Sequence, residues 1–249
     1  MANNPIVVMY PDYRGESTRN SFLPDQIRAY LPQAAIIPVF NGATVAGLDF
    51  LVTESHALGL DGIKSEQPGL ASALMTGYRH CLDRYLGATV VLLDTSEHDV
   101  RYLSTLVDRA TEMGGLVIGN LSFEPETLEE GSLDELMHLE LFPQLYDTFA
   151  GISLSGTHGY QAVSPTVFGE IYKSACRIMD QVVRNIAQVP TWGFDGAMVL
   201  SAVNQGIPVT VTPIPAQARR SRSKEKILAQ YKQALQVCRA AERLFQCVY

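Results

Sequence analysis

The sequence is poor in the features that most quickly assign a function. No apolar run approaches the roughly 20 residues that a membrane-spanning helix needs, and nothing at the start resembles a leader peptide: Pro5-Ile6-Val7-Val8-Met9 is too short and reads as a strand. Of the 249 residues only four are cysteine (Cys81, Cys176, Cys238, Cys247), none in CxxC spacing. They are expected to be buried free thiols of a reducing compartment, so the expected location is the cytoplasm. Neither GxxxxGK[ST] nor GxGxxG is present, which removes the two commonest phosphate cradles. HExxH and GxSxG are missing too, and with them the zinc-protease and serine-hydrolase readings. Positive charge is in deficit, 19 Lys and Arg against 26 Asp and Glu, for a net charge of -7. A whole-surface affinity for nucleic acid is therefore not expected.

What is present is an apolar core of ordinary size, 47% hydrophobic residues with 18% charged. The most informative stretch is Thr89-Val90-Val91-Leu92-Leu93, which runs without alternation into Asp94-Thr95-Ser96-Glu97-His98-Asp99. Such a run reads as a strand buried on both faces. In an open α/β sheet ligands lie beyond the carboxyl ends of the strands, so Asp94 stands where a carboxylate meets a substrate, a metal or a helix N-terminus.

Around it the chain alternates. Ile6–Tyr10 reads as a first strand stopped by Pro11-Asp12, followed by a polar loop to Asn20 and a short helix ending before Pro32. Ala34–Phe40 reads as a second strand, with Pro38 calling for an edge position or a strand end. Phe50–Thr53 reads as a brief third strand. An amphipathic helix follows from Pro68 to Gly87, then the Thr89 strand, a helix from Val100 to Met113 stopped by Gly114-Gly115, and a strand at Leu116–Gly119. The second half holds an acidic connection from Ser122 to Asp134 and helical pieces through Leu145. A glycine-rich loop from Gly151 to Tyr160 comes next, then a helix opened by Ser164-Pro165 and running to Ile186. A helix after Trp192-Gly193-Phe194-Asp195, a strand at Ile207–Val211 and a long terminal helix complete it. Alternating strands and helices predict an α/β fold with a mainly parallel central sheet in three layers. There is no evident linker; residues 1–249 read as one domain, in a first half (1–121) and a second half (122–249).

Several residues offer chemistry. Asp94, Glu97 and Asp99 are hard oxygen donors suited to Mg or Mn, and a bound cation can bridge a diphosphate. Arg219, Arg220, Arg222 and Lys224 can neutralise phosphate, or simply form a solvated basic face. Asp195 can be a general base or a first-turn helix acid. Asp94 can equally cap the helix that follows, Glu97 and Asp99 can be acids favoured by its dipole, and His158 can either bind metal or orient its own loop.

The order of these features resembles the family-2-like glycosyltransferases of the GT-A fold, including the polyprenyl-phosphate sugar synthases. Glu66-Gln67-Pro68-Gly69-Leu70-Ala71-Ser72-Ala73-Leu74 is similar to that family's glycine- and alanine-rich helix entry, and Val90–Asp99 to its metal-binding DxD strand. Gly114–Gly119 resembles the next strand, His158–Ser164 the "S-G-F-R" segment, and Trp192-Gly193-Phe194-Asp195 the aromatic-acidic acceptor motif. The resemblance implies a three-layer GT-A-like fold and transfer of a sugar from a nucleotide-diphosphate-sugar donor to a hydroxyl or phosphate acceptor (a small molecule, glycan or lipid phosphate). It implies Asp195 as catalytic base, and Asp94 and His158 as ligands of a divalent cation, Mg or Mn. Tyr10, Asp12, Asn41, Glu66, Asp94, Ser96, Arg220, Arg222 and Lys224 become the donor-binding residues. The chain departs from the pattern where Ser96 replaces the second DxD carboxylate and where Phe40-Asn41-Gly42-Ala43-Thr44 carries no acid. Those departures support a second reading, a silent or redirected homologue that binds a nucleotide or a partner. Arg14-Gly15 gives a faint hint of a nucleotidyltransferase. The amphipathic terminal helix with its basic lead-in fits a place on an anionic membrane surface or a homodimer contact.

Overall fold

Thr89–Leu93 forms a strand, β4, and all five of its residues are buried. The computed structural model describes residues 4–12, 22–42, 48–93, 98–122, 132–155, 159–186, 192–215 and 223–246. Within them β1 (Ile6–Asp12), β2 (Ala35–Phe40), β3 (Ile63–Lys64), β4, β5 (Leu116–Ser122), β6 (Tyr160–Val163) and β7 (Val209–Pro215) make one sheet, ordered β3-β2-β1-β4-β6-β5-β7. Neighbouring strands run parallel except at β6, which is antiparallel to both β4 and β5. The helices are α1 (Leu23–Tyr30), α2 (Leu48–Ala57), α3 (Leu70–Arg84), α4 (Leu103–Met113, after a 3₁₀ turn at Val100–Tyr102) and α5 (Leu133–Leu136). A π-helical turn (Met137–Leu141) leads into α6 (Phe142–Ala150), and α7 (Pro165–Ile186), α8 (Phe194–Asn204) and α9 (Lys224–Gln246) follow.

The pleat of the strands sorts the core into two layers, because successive side chains point to opposite faces. Val7, Met9, Val90, Leu92, Leu116 and Ile118 face a layer built from α3, α7, α8 and α9. Val8, Tyr10, Val91, Leu93, Val117 and Ala162 face α1 and α4. This is the expected three-layer arrangement. On α3, Leu74, Tyr78 and Cys81 recur at helical spacing and are buried; a fully buried side chain of such size stabilises by about 1.5–3 kcal/mol. Gly77 lets the same helix lie close on the sheet, since a Cβ there would sit 2.7 Å from Met9 Cε and 2.9 Å from Val39 Cγ2.

Prolines in the strands fall where no ladder bond is lost. The Pro5 carbonyl accepts from Thr89, so odd-numbered residues of β1 turn their polar groups to β4, but that pairing ends at Met9–Leu92 and leaves Pro11 without a bond to break. Strand β1 therefore runs on to Asp12 instead of stopping at Tyr10. Pro38 lies in an inner strand; the carbonyls of Ile36 and Phe40 accept from Asp61 and Ser65, so its missing N–H faces the side of β3, which begins only at Ile63. Pro213 and Pro215 sit on the edge strand β7 at odd-numbered positions, one residue out of phase with the even-numbered pattern that the Pro208 carbonyl sets by accepting from Leu116, so they face away from β5.

Four further expectations are corrected. Phe50–Thr53 is not a strand but the middle of α2, a surface helix with Phe50 67% exposed and Leu48 and Ser55 as its buried residues. Tyr160–Val163 is a strand within the stretch read as a loop running into a helix, and Ile63–Lys64 is a short strand within the stretch read as loop. The last strand starts at Val209 and extends to Pro215. Cys81 and Cys238 are buried free thiols and Cys176 is half-buried and free. Among the described residues no helix is long and apolar enough to cross a membrane.

Candidate functional site

The carboxyl ends of β1, β2 and β4 and the start of the antiparallel β6 lie along one lip of the sheet. At β1 the lip begins with Asp12, buried, whose carbonyl accepts from the N–H of Asn41 at 3.0 Å just past the end of β2. Asn41 in turn grips Gly69: its Nδ2 donates to the Gly69 carbonyl at 2.5 Å and its Oδ1 accepts from the Gly69 N–H at 3.3 Å. Both ends of its amide are thus engaged in holding the loop before α3. Ser72 continues that hold, its hydroxyl accepting from the Gln67 N–H at 3.1 Å and pairing with the Ser65 hydroxyl at 3.0 Å. Glu66, on the same loop, is exposed and ion-paired with Arg79 at 2.8 Å. Tyr10 is packed into the core on the α1 side.

At β4 the strand ends at Leu93, which is paired with Tyr160 of β6. Asp94, Ser96 and Glu97 lie outside the described residues, as does His158, before β6 in the sequence. The chain returns at His98 and Asp99, both buried. Asp99 takes the capping role: its Oδ1 accepts from the Arg101 N–H at 3.0 Å, and the Arg101 guanidinium clasps both carboxyl oxygens, Nε donating to Oδ1 and Oδ2 at 2.9 Å and Nη2 to Oδ2 at 2.5 Å. That guanidinium holds the Asp99 carboxyl below its ordinary pKa. The Tyr160 hydroxyl donates to the Asp99 carbonyl at 3.1 Å, and the His98 and Tyr160 rings stack at 5.0 Å.

Gln161, fully buried, points to the opposite face of β6 and donates from Nε2 to the carbonyl of Asp195 at 3.0 Å. Because Gln161 pairs with Leu92, this bond brings the first turn of α8 to the carboxyl end of β4. Asp195 keeps a partly exposed surface yet is enclosed by protein. Burial raises its carboxyl pKa, and the hydrogen bonds from its own and the Gly196 N–H offset part of that rise. An acid held up in this way is a stronger base when ionised.

The approach to the glycine-rich loop is also fixed. Asn120 at the end of β5 accepts from the Ser155 N–H at 2.9 Å and from its hydroxyl at 2.8 Å. His138 Nδ1 donates to the Ser155 carbonyl at 2.6 Å, which sets its tautomer, and its ring stacks on Phe142. Sequence reasoning gave no role to His98, His138, Asn120, Tyr160 or Gln161. The signals in the chain are the family-like segment His158–Ser164 and, within it, a glutamine inside the apolar run Tyr160-Gln161-Ala162-Val163.

So the lip gathers Asp12, Asn41, Glu66 and Asp195 with the strand ends that precede Asp94 and follow His158. Lys224 opens α9 in an exposed position, next to its capping Ser223, whose hydroxyl accepts from the Lys226 N–H at 3.3 Å; Arg219, Arg220 and Arg222 lie outside the described residues. The metal expectation can be tested on the donors that are described. Asp99 is engaged by Arg101 and Asp195 is held toward its neutral form, and no cluster of three His, Cys, Asp or Glu side chains able to hold a metal occurs among the described residues. The two residues expected to hold a cation, Asp94 and His158, lie outside the described residues; of the residues near them in the chain, Leu93 and Tyr160 pair across β4 and β6.

No protein-family profile and no curated sequence matches the chain. Solved structures do. It is similar to the glucosyl-3-phosphoglycerate synthase of Mycobacterium tuberculosis, solved with Mn2+, UDP and phosphoglyceric acid, with a TM-score of 0.64 at 18% identity over 96% of this chain and 79% of that one. A mycobacterial protein gives 0.63 at 17% identity, over 96% and 75% of the two chains. The fold is that of the GT-A glycosyltransferases. The mannosyltransferase of Pyrobaculum calidifontis, solved with GDP-Man and Mn2+, shares the GT-A fold more loosely, with a TM-score of 0.51 at 14% identity over 99% of this chain and 76% of that one.

Proposed function

We propose that this chain transfers a sugar from a nucleoside-diphosphate sugar to a hydroxyl or phosphate acceptor. The observation that carries the reading is the bond from Gln161 to the Asp195 main-chain carbonyl, which brings the first turn of α8, where Asp195 has a raised carboxyl pKa, to the carboxyl end of β4. Asp195 takes the proton from an acceptor hydroxyl as that oxygen attacks the anomeric carbon, and the nucleoside diphosphate leaves. Asp12 and the Asn41–Gly69 lock shape the donor side. Arg220, Arg222 and Lys224 add positive charge for the leaving diphosphate, whose charge grows in the transition state. Asp94 and His158 would hold a divalent cation, which when bound neutralises the same oxygens. The complexes of the synthase with UDP and Mn2+ and of the mannosyltransferase with GDP-Man and Mn2+ support this choice of donor and ion.

One observation favours a second reading, nucleotide or partner binding without transfer: the end of β2 offers Asn41 in place of an acid, and its amide is already engaged by Gly69. Calorimetry with UDP and GDP, with and without Mn2+, followed by a hydrolysis-corrected transfer assay, separates the two. The transferase reading expects binding that Mn2+ strengthens and that Asp94→Asn and Arg222→Ala each weaken by about tenfold or more. It also expects Asp94→Asn to abolish transfer with little change in thermal midpoint. Failure of both nucleotides to bind, with or without Mn2+, would overturn it; binding without transfer to any acceptor would favour the second reading.

A further inference from the structure

We propose that Gln161 and Tyr146 are positioning residues that hold the first turn of α8, and with it Asp195, at the carboxyl end of β4. The hold is a matter of hydrogen bonding and packing; what it does for catalysis rests on the transferase reading. A fully buried glutamine in a core strand calls for a reason, since the other residues of β6 are Tyr160, Ala162 and Val163. Its Nε2 donates to the Asp195 carbonyl at 3.0 Å, and among the described residues no group pairs with its Oε1. That carbonyl lies in the first turn of α8, where the helix supplies a partner four residues on, so the bond from Gln161 is a second one. A buried acceptor without a partner destabilises, and an apolar side chain of similar length would serve the core at least as well. Stability therefore does not explain the glutamine. What it supplies is a fixed placement of α8 against β6.

Tyr146 meets the same turn from α6. A Cβ on Gly196 would lie 2.5 Å from Tyr146 Oη and 3.6 Å from its Cζ, so the hydroxyl occupies the place a side chain would take. Gly196 is inside a helix, where alanine is otherwise preferred, and the close approach of Tyr146 is what requires the glycine. Burial, with the nearby Cys238 and Asp195, pushes the Tyr146 phenol well above its usual range, so the group against the turn stays a neutral hydroxyl. Helix α9 closes the approach to the turn. The Trp192 main-chain N–H donates to Gln233 Oε1 at 2.8 Å, and a Cβ on Gly193 would lie 2.9 Å from Val237 Cγ2. Three elements thus fix one turn before a ligand arrives, and a base that must meet an acceptor hydroxyl within hydrogen-bond reach depends on such placement.

Gln161→Met keeps the length of the side chain and removes the bond. Its thermal midpoint is expected at or above the wild-type value, while hydrogen–deuterium exchange of peptides covering 194–199 rises about tenfold and peptides from β1 and β2 keep the wild-type rate. In the transfer assay kcat falls about tenfold with KM within about twofold of wild type. Gly196→Ala drives the turn off Tyr146 and is expected to change exchange and kcat in the same way. Adding Tyr146→Phe clears the hydroxyl and leaves the new methyl 3.6 Å from the ring, so the double variant recovers both to within about threefold of wild type. Wild-type exchange at 194–199 in Gln161→Met, or a kcat that falls only as the thermal midpoint falls, would overturn the hold and leave Gln161 an ordinary core residue. A double variant no better than Gly196→Ala would overturn the part given to Tyr146. If exchange changes as expected but the wild-type protein transfers no sugar, the hold stands and the transferase reading is what fails.

Discussion

Asp195 occupies the first turn of α8, where a helix dipole and two backbone N–H groups favour its charged form, yet burial wins and its pKa lies above the ordinary value. The sign of the resulting pH dependence is fixed. A carboxyl with a raised folded-state pKa contributes stability that is fully present below the unfolded pKa and is lost as pH rises through the folded one. Asp195→Asn removes the titration, so its stability in urea should equal wild type in acid and match or exceed it at neutral pH. If Asp195 is the base, the same substitution lowers kcat by roughly 10²–10⁴, and the acid limb of the wild-type rate profile lies above the ordinary carboxylate range. A variant that is less stable than wild type at neutral pH, with activity lost only in proportion to folded protein, would make Asp195 a structural helix acid. At this scale the sequence showed the acid and its aromatic neighbours, but not Gln161: the bond that places Asp195 joins residues 34 positions apart.

Among the elements, α3 shows how a polar cluster fastens a helix to an edge of the sheet. Asp61, between β2 and β3, accepts from His80 Nε2 at 2.7 Å and from the Tyr85 hydroxyl at 2.8 Å, with Arg84 at 3.8 Å. Burial pushes the Asp61 carboxyl up, but the two hydrogen bonds and the charges of His80 and Arg84 outweigh it, and its pKa lies below the ordinary value. Burial and the Asp61 contact push Tyr85 up to about 12. A depressed carboxyl contributes stability that is present above the unfolded pKa and lost as pH falls through the folded one. Asp61→Asn should therefore cost about 1–3 kcal/mol at neutral pH, measured by urea unfolding, and the difference should vanish well below the carboxylate range; a pH-independent difference would point to packing instead. The elements also show what pattern reading can reach. Helix α7 was legible from Ser164-Pro165 to Ile186 because proline opens it and a long apolar face follows. Helix α2 was misread because Phe50-Leu51-Val52-Thr53 has β-prone residues and, lying on the surface, no core periodicity to contradict them. Strand β6 is four residues long and runs against its neighbours, so a rule built on parallel alternation has no place for it.

That strand decides how the whole molecule holds together. Strand β5 pairs with β6 and β7, and β4 meets β5 only through β6. A cut after residue 121 would leave β4 at an open edge and β5 with neither of its partners. The larger core layer is equally shared, running from Val7 of β1 to Ala241 of α9. The halves 1–121 and 122–249 are not separable in strand pairing. The chain should therefore unfold as one unit. The single tryptophan, Trp192, reports on the second half: its main-chain N–H donates to Gln233 Oε1 of α9 at 2.8 Å. Far-UV circular dichroism reports on all the helices and strands. Denaturant curves followed by Trp192 fluorescence and by circular dichroism should superimpose, with one midpoint and one slope. A peptide of residues 1–121 should fail to give a cooperative transition, because the strand it ends on has no partner in it. Two separated midpoints, or a cooperatively folding 1–121 fragment, would show that the first half carries its own stable core and that β6 joins two bodies instead of completing one.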